Sequence, residues 1–348
     1  MEIYYIIYIF LLLFTLKEVF LTKNSKLVFV LFTVFFILFV GLRKDVGNDY
    51  STYLENYLLI NSGLEGSATE YLYVLTNLIF SFDVFIFFIS LFSFYYLHKA
   101  IAYFNKDYPI TSYFIYFGIF LITYNIHILR QGISIAMVFY GYKYLYEKKR
   151  IEFILFVILA FTFHKSALIV LPFTFLININ LTVKRQIILL VIATVVYLLS
   201  NVFVDLFYII AANTPILSSY LAFYRREEFT ATGITLGMLM DMVIMIALLL
   251  KFKNLEGKDL FMYRLFFISV ILSLLLSFMP AGIRLNYYFR TSLIFILPLL
   301  FRLYNLKKIT IASLVFITYY YLYVTFNGQT EYGRGDRNLE YKTIFDEQ

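Results

Sequence analysis

The sequence predicts an all-α polytopic membrane protein with about twelve transmembrane helices, and three observations predict it. Apolar runs of about 15 to 22 residues, enough to cross a bilayer core, recur along the whole chain. Of the 348 residues 62% are hydrophobic and only 15% are charged, with a mean hydropathy of +0.81, far from the balance of soluble domains. The polar breaks between runs alternate between basic and acidic, as the positive-inside rule requires of a chain threading back and forth. A soluble fold around one large core is excluded.

Residues 4–16 form a first span. Glu2 makes its start acidic rather than basic and no small-x-small site follows, which argues against a cleaved signal. Lys17, Lys23 and Lys26 make an internal turn before a second span, 27–42. Residues 43–70 set Arg43 and Lys44 against Asp45, Asp49, Glu55, Glu65 and Glu70, and read as an external loop. Residues 71–80 are apolar but too short to cross, hence interfacial or re-entrant. A span at 83–97 returns to Lys99 and Lys106; 109–126 goes out towards Arg130, and 131–146 comes back to Lys143, Lys148, Lys149 and Arg150. Residues 151–181 split into two short apolar halves around Phe163-His164-Lys165-Ser166, either a hairpin of thin spans or a broken helix. Beyond Lys184 and Arg185, a span at 186–204 leads to an external loop, 205–233, bearing Arg225 and Arg226. Spans at 234–250 and 260–279 flank internal Lys251, Lys253 and Lys258. The last two, 285–301 and 309–326, are separated by Arg302, Lys307 and Lys308. Residues 1–326 read as a single membrane domain, N-out and C-out, and 327–348 as a mobile, polar external tail.

Most of the 29 basic residues fall on the internal turns, while most of the 22 acidic ones fall outside. The net charge of +7 is therefore topogenic, and no nucleic-acid partner is implied. With no cysteine there is no disulfide or thiolate chemistry. His98, His127 and His164 are the only histidines and none pair at i and i+4, so neither a metal site nor a cofactor is expected.

Apart from internal lysines, the charges cluster at external span ends: Arg43, Asp45, Asp49, Glu70, Asp83, Arg130, His164, Asp205, Arg225, Arg226, Asp241, Arg284 and Arg290. Arg130, Arg284 and Arg290 lie near the hydrocarbon boundary, and an Arg at the bilayer centre costs about 2.5 to 3.5 kcal/mol unless it has a partner or water. Each could pair with a carboxylate or snorkel outward. Several converging guanidinium groups instead suit a phosphate or diphosphate, whose oxygens match the planar Arg fork. Such a ligand in an externally facing membrane cavity suggests a polyprenyl-linked sugar. His164 reads either as a structural hydrogen-bonding residue or, beside Lys165 and Ser166, as a phosphate or proton handler. Asp45 and Asp49 lie four apart around Gly47; Asp49, between Asn48 and Tyr50, is the preferred catalytic carboxylate.

These residues resemble the EpsG-like branch of Wzy-type polysaccharide polymerases, a group that includes O-antigen polymerases. Arg43-Lys-Asp-Val-Gly47-Asn48-Asp49-Tyr50-Ser-Thr-Tyr53 is similar to the family's R-x-x-x-G-x-D-Y-x-x-Y element, and Arg130-Gln131-Gly132-Ile133-Ser134 to its R-Q-x-[IL]-[AS] helix start. Phe163-His164-Lys165-Ser166-Ala167-Leu168 resembles its F-H-x-S-A-L element, and Arg284 with Tyr288 a late Arg-Tyr element. The resemblance implies a GT-C-like glycosyltransferase architecture, independent of metal, in the bacterial inner membrane with its site facing the periplasm. It implies transfer of a growing glycan from undecaprenyl diphosphate to an incoming lipid-linked repeat unit, so donor and acceptor are both undecaprenyl-diphosphate-linked oligosaccharides. Membrane lipids and a chain-length regulator protein are the other partners implied. In that reaction Asp49 is the first candidate for catalytic base, with Glu70 and His164 behind it. Arg43, Asp45, Tyr53, Arg130, Gln131, Arg284, Tyr288 and Arg290 are candidates to bind diphosphate and glycan. Two rival readings are an O-antigen ligase or other lipid-linked glycosyltransferase, and a flippase or transporter. The ligase is disfavoured because the loop 205–233 carries no histidine, the transporter because the unpaired charges sit on one side.

Overall fold

Where an apolar run is long and free of breakers it propagates as one helix. In the computed structural model, which describes residues 2–21, 26–64, 70–177, 179, 182–214, 235–279, 282–305, 307–327 and 339–346, this gives α1 (Glu2–Phe20), α2 (Lys26–Gly41) and α5 (Phe82–Phe104). Between α2 and α5 stand two short helices, α3 (Tyr50–Asn61) and α4 (Tyr71–Ile79). The nine residues of α4 fit the expectation that 71–80 does not cross. α6 (Pro109–Tyr116) starts on a proline, whose missing N–H is no loss there, and runs on as a π-helix, Phe117–His127. α7 (Leu129–Tyr146) and α8 (Arg150–Phe161) follow; then His164 opens a 3₁₀ turn, Lys165–Ile169, leading into α9 (Val170–Leu176). Of the stretch 151–181, the described part up to residue 177 is a broken pair of helical pieces, interrupted where Thr162 to His164 leave the helix.

Among the described residues four helical stretches are long and apolar enough to cross a membrane: α1, α5, Pro109–His127 and α16 (Lys307–Asn327). α10 (Val183–Leu198) and α11 (Ser200–Ala212), bent by 73° at their junction, make a fifth if they count as one. Other runs form helices that are shorter, such as α2, α12 (Leu236–Leu250) and α15 (Leu293–Tyr304), or more polar, such as α7 with Arg130, Gln131 and Lys143. α13 (Gly257–Leu275) carries Lys258, Asp259 and Arg264, and the run at 285–301 is divided between α14 (Gly282–Arg290) and α15. Among the described residues every regular element is helical, and the protein is a helical membrane protein.

The chain divides into two compact units, Met1–Leu171 with Leu297–Gln348, and Pro172–Ile296. In the first, α5 packs on α2 and α7, and α7 on α8. Phe36 stacks on Phe94 at 5.5 Å, and the Tyr8 hydroxyl of α1 reaches the Val315 carbonyl (3.1 Å) and Thr318 (3.0 Å) of α16. Glu18, buried near the end of α1, caps α6 from across the bundle. Its carboxylate accepts from the Ile110 and Thr111 amides (3.1 and 2.7 Å) and the Thr111 hydroxyl (2.7 Å), satisfying donors that α6 leaves unpaired. In the second unit α13 packs against α10, α12 and α14.

The tail differs from its sequence reading. Residues 339–346 dock onto the first unit: the Lys44 amide donates to the Lys342 carbonyl (2.9 Å), the Ile344 amide to the Leu42 carbonyl (2.9 Å), and Arg43 and Thr343 form an isolated antiparallel bridge. Tyr341 stacks flat on Phe39 with ring centres 4.4 Å apart, and Leu339 is buried. The apolar side chains responsible are few, which is why the segment's average polarity hides them. Arg225, Arg226, Glu65 and most of the loop 205–233 lie outside the described residues.

Candidate functional site

Three of the four sequence elements meet in the first unit. The opening loop leaves α2 at Leu42 and is shaped from within by Arg43, which is only 1% exposed. Its Nη1 donates to the Val40 carbonyl (2.5 Å) and its Nε to the Val46 carbonyl (3.3 Å), pinning the loop to the helix it has just left. Tyr50, Tyr4, Tyr53 and Tyr341 surround the guanidinium, and burial pushes its pKa down to about 10. Arg43 is therefore a brace within the loop. Asp45 is exposed.

Gly47 adopts φ +109°, a backbone region that suits glycine, and a Cβ there would meet the Ile126 carbonyl oxygen at 2.6 Å. That close approach seats the loop on the end of the π-helix, where the Asn48 amide donates to His127 Nδ1 (3.1 Å). Sequence gives no sign of this role for His127. Asp49 then occupies the N-cap position of α3, half-buried, and makes no side-chain cap bond.

One turn on, buried Tyr53 lies beside the backbone amide of Arg130, and burial, with the Asp49 charge next, raises its pKa well above the ordinary tyrosine value. Arg130 is in the first turn of α7. Its Nη1 meets Glu70 Oε2 at 2.9 Å, and its guanidinium lies 5.0 Å from the centre of the Tyr73 ring. Glu70 and Tyr73 come from the start of α4, and the Leu72 amide donates to the Thr162 carbonyl (3.0 Å), tying α4 to the break after α8. Glu70 is thus held in an ion pair rather than presented alone, and Tyr73 is a site neighbour that the sequence elements do not contain.

The second residue of the R-Q pair makes the link to the third element. Buried Gln131 donates through Nε2 to Ser166 Oγ (3.3 Å), and Ser166 Oγ lies 2.6 Å from His164 Nδ1. The Ser166 amide also points to Nδ1 (3.3 Å). A nitrogen facing an amide N–H must accept, so neutral His164 carries its proton on Nε2. Presented that way the ring is a donor, not a base. Gly132 completes the junction: a Cβ on it would lie 1.9 Å from the Tyr124 carbonyl oxygen of the π-helix. Gly132→Ala is expected to prevent this packing, seen as a several-fold loss of folded protein in detergent extracts.

The fourth element belongs to the second unit. Arg284 is exposed on α14, whereas Tyr288 is fully buried. Arg290 is paired: its Nε and Nη2 reach the two oxygens of Asp241 on α12 at 3.0 and 3.4 Å, the carboxylate pairing that the sequence left open. Among the described residues no group of three or more His, Asp or Glu side chains converges as metal ligands would.

The EpsG family profile matches residues 26–343, a stretch that holds all four elements. No curated protein and no solved structure matches the chain.

Proposed function

The chain belongs to the EpsG family, and on that premise we propose that it is a polysaccharide polymerase of the O-antigen type, transferring a growing glycan from undecaprenyl diphosphate to a lipid-linked repeat unit at the periplasmic face of the inner membrane. The observation that carries this reading is the gathering of Asp49, Tyr53, Glu70, Arg130, Gln131 and His164 in one unit from three distant stretches. It supports a site that has a carboxylate, an anchored guanidinium and a hydroxyl–imidazole pair within one fold.

In the proposed step the bond from the anomeric carbon to the diphosphate oxygen breaks, and its electron pair leaves with the diphosphate. Arg130 neutralises the charge that builds there. Diphosphate is a good leaving group and needs charge stabilisation more than a proton. The acceptor hydroxyl attacks the anomeric centre and gives its proton to Asp49, a general base near an oxocarbenium-like centre. Glu70 aims Arg130, and Arg43 with Gly47 fixes the loop that presents Asp49. His164, donating from Nε2, suits a sugar hydroxyl or phosphate oxygen. Asp45, Arg284, Tyr288 and Arg290 remain proposed ligands on the sequence reading and the resemblance, not on contacts in the site. The GT-C-like architecture, the full set of about twelve spans and a chain-length regulator partner belong to the same proposal.

A strain lacking the protein is expected to accumulate single lipid-linked repeat units and to display one-unit chains on gels of surface glycan; normal long chains there would sink the reading. In this metal-independent scheme purified protein keeps its full polymerising rate in EDTA. Loss of activity restored by a divalent ion would refute that part.

A further inference from the structure

Within the second unit a cavity of about 310 Å³ opens between α10 and α13. Its lining changes character along the helix. Tyr263 and Arg264 stand at one end, followed one and two turns deeper by Phe267, Ile268 and Ile271, so a polar start gives way to a hydrocarbon wall over about 10 Å. At the polar end the Tyr263 hydroxyl donates to Gln186, and Arg264 Nη1 donates to the Ile177 carbonyl (2.8 Å), which fixes the guanidinium against the wall.

Charge gathers around that same end. Lys184 and Arg185 immediately precede Gln186, Lys251 and Lys253 flank the lining residue Phe252, and Lys258 lies in the first turns of α13, against only Glu256 and Asp259. A slot that is apolar at depth and cationic at its mouth matches an amphiphile with a negative head. We propose that it binds one anionic phospholipid of the bilayer, its phosphate at Arg264 and the flanking lysines and one acyl chain along Phe267, Ile268 and Ile271. The site is separate from the proposed polymerase chemistry and does not depend on it.

The test is native mass spectrometry of protein purified in dodecyl maltoside, stripped of lipid and titrated separately with phosphatidylglycerol, phosphatidylcholine and undecaprenyl phosphate. One phosphatidylglycerol adduct is expected to persist. Replacing Lys251 and Lys253 by Gln, surface changes that leave the wall intact, weakens it about fivefold per charge lost. Ile271→Trp fills the deep end and abolishes it with every charge still present. Equal retention of phosphatidylcholine, preferential retention of undecaprenyl phosphate, or an adduct indifferent to both sets of substitutions would each overturn the assignment.

Discussion

Arg130→Gln is expected to reduce polymerisation at least 10²-fold, read as loss of long chains, because it removes the guanidinium that offsets the leaving diphosphate's charge. Removing one preorganised electrostatic group from a reacting centre commonly costs about 10² to 10³ in rate. The same change strands Glu70, whose side chain is 9% exposed and which has Arg130 2.9 Å away. A largely buried carboxylate left without its partner destabilises the fold, so protein abundance must be measured alongside chain length. The double variant Arg130→Gln with Glu70→Gln separates the two effects. It removes both charges, is expected to restore abundance, and should leave polymerisation at the low level of the single variant. Recovery of long chains in the double variant would show that Arg130 serves only the fold. Arg130→Lys keeps the charge without the planar fork and is expected to fall between.

Asp49→Asn is the second large effect. A general base typically contributes about 10² to 10⁴ in rate, and the amide cannot take the acceptor's proton. Asp49 makes no side-chain cap bond at the start of α3, and Asn is an equally favourable residue at that position. Chain growth should stop while abundance and thermal stability stay near those of the unaltered protein. Long chains made by Asp49→Asn would pass the role of base to another group and leave Asp49 as a loop residue.

Much of the helical layout is legible in sequence because it follows from local composition. The break at 163–166 shows itself as a histidine, a lysine and a serine inside an apolar stretch, and 71–80 shows itself as too short to cross. The π-helix is not legible: Phe117 to His127 has the composition of an ordinary helix, and its wider turns belong with packing against α7 at Gly132 and Tyr124. The bend at Leu199 sits beside Ser200 and Asn201, a polar pair too short to interrupt the span read over 186–204. For the site, sequence names the residues but not their pairings. Arg130 and Glu70 are 60 residues apart, and Arg290 and Asp241 are 49 apart, so which carboxylate meets which guanidinium depends on tertiary structure alone. Arg43 is the sharpest case: as part of a motif it suggests a ligand-binding cation, yet its surroundings are backbone carbonyls and tyrosine rings.

The docking of residues 339–346 against Phe39, Leu42 and Lys44 sets an order of events during biogenesis. The loop carrying Arg43 and Asp49 is synthesised long before residues 339–346, the segment that clips it. Until residues 339–346 have been made and reach it, the loop lacks this fastening. A chain that stops before residue 339 would insert its early helices and still present an unfastened loop.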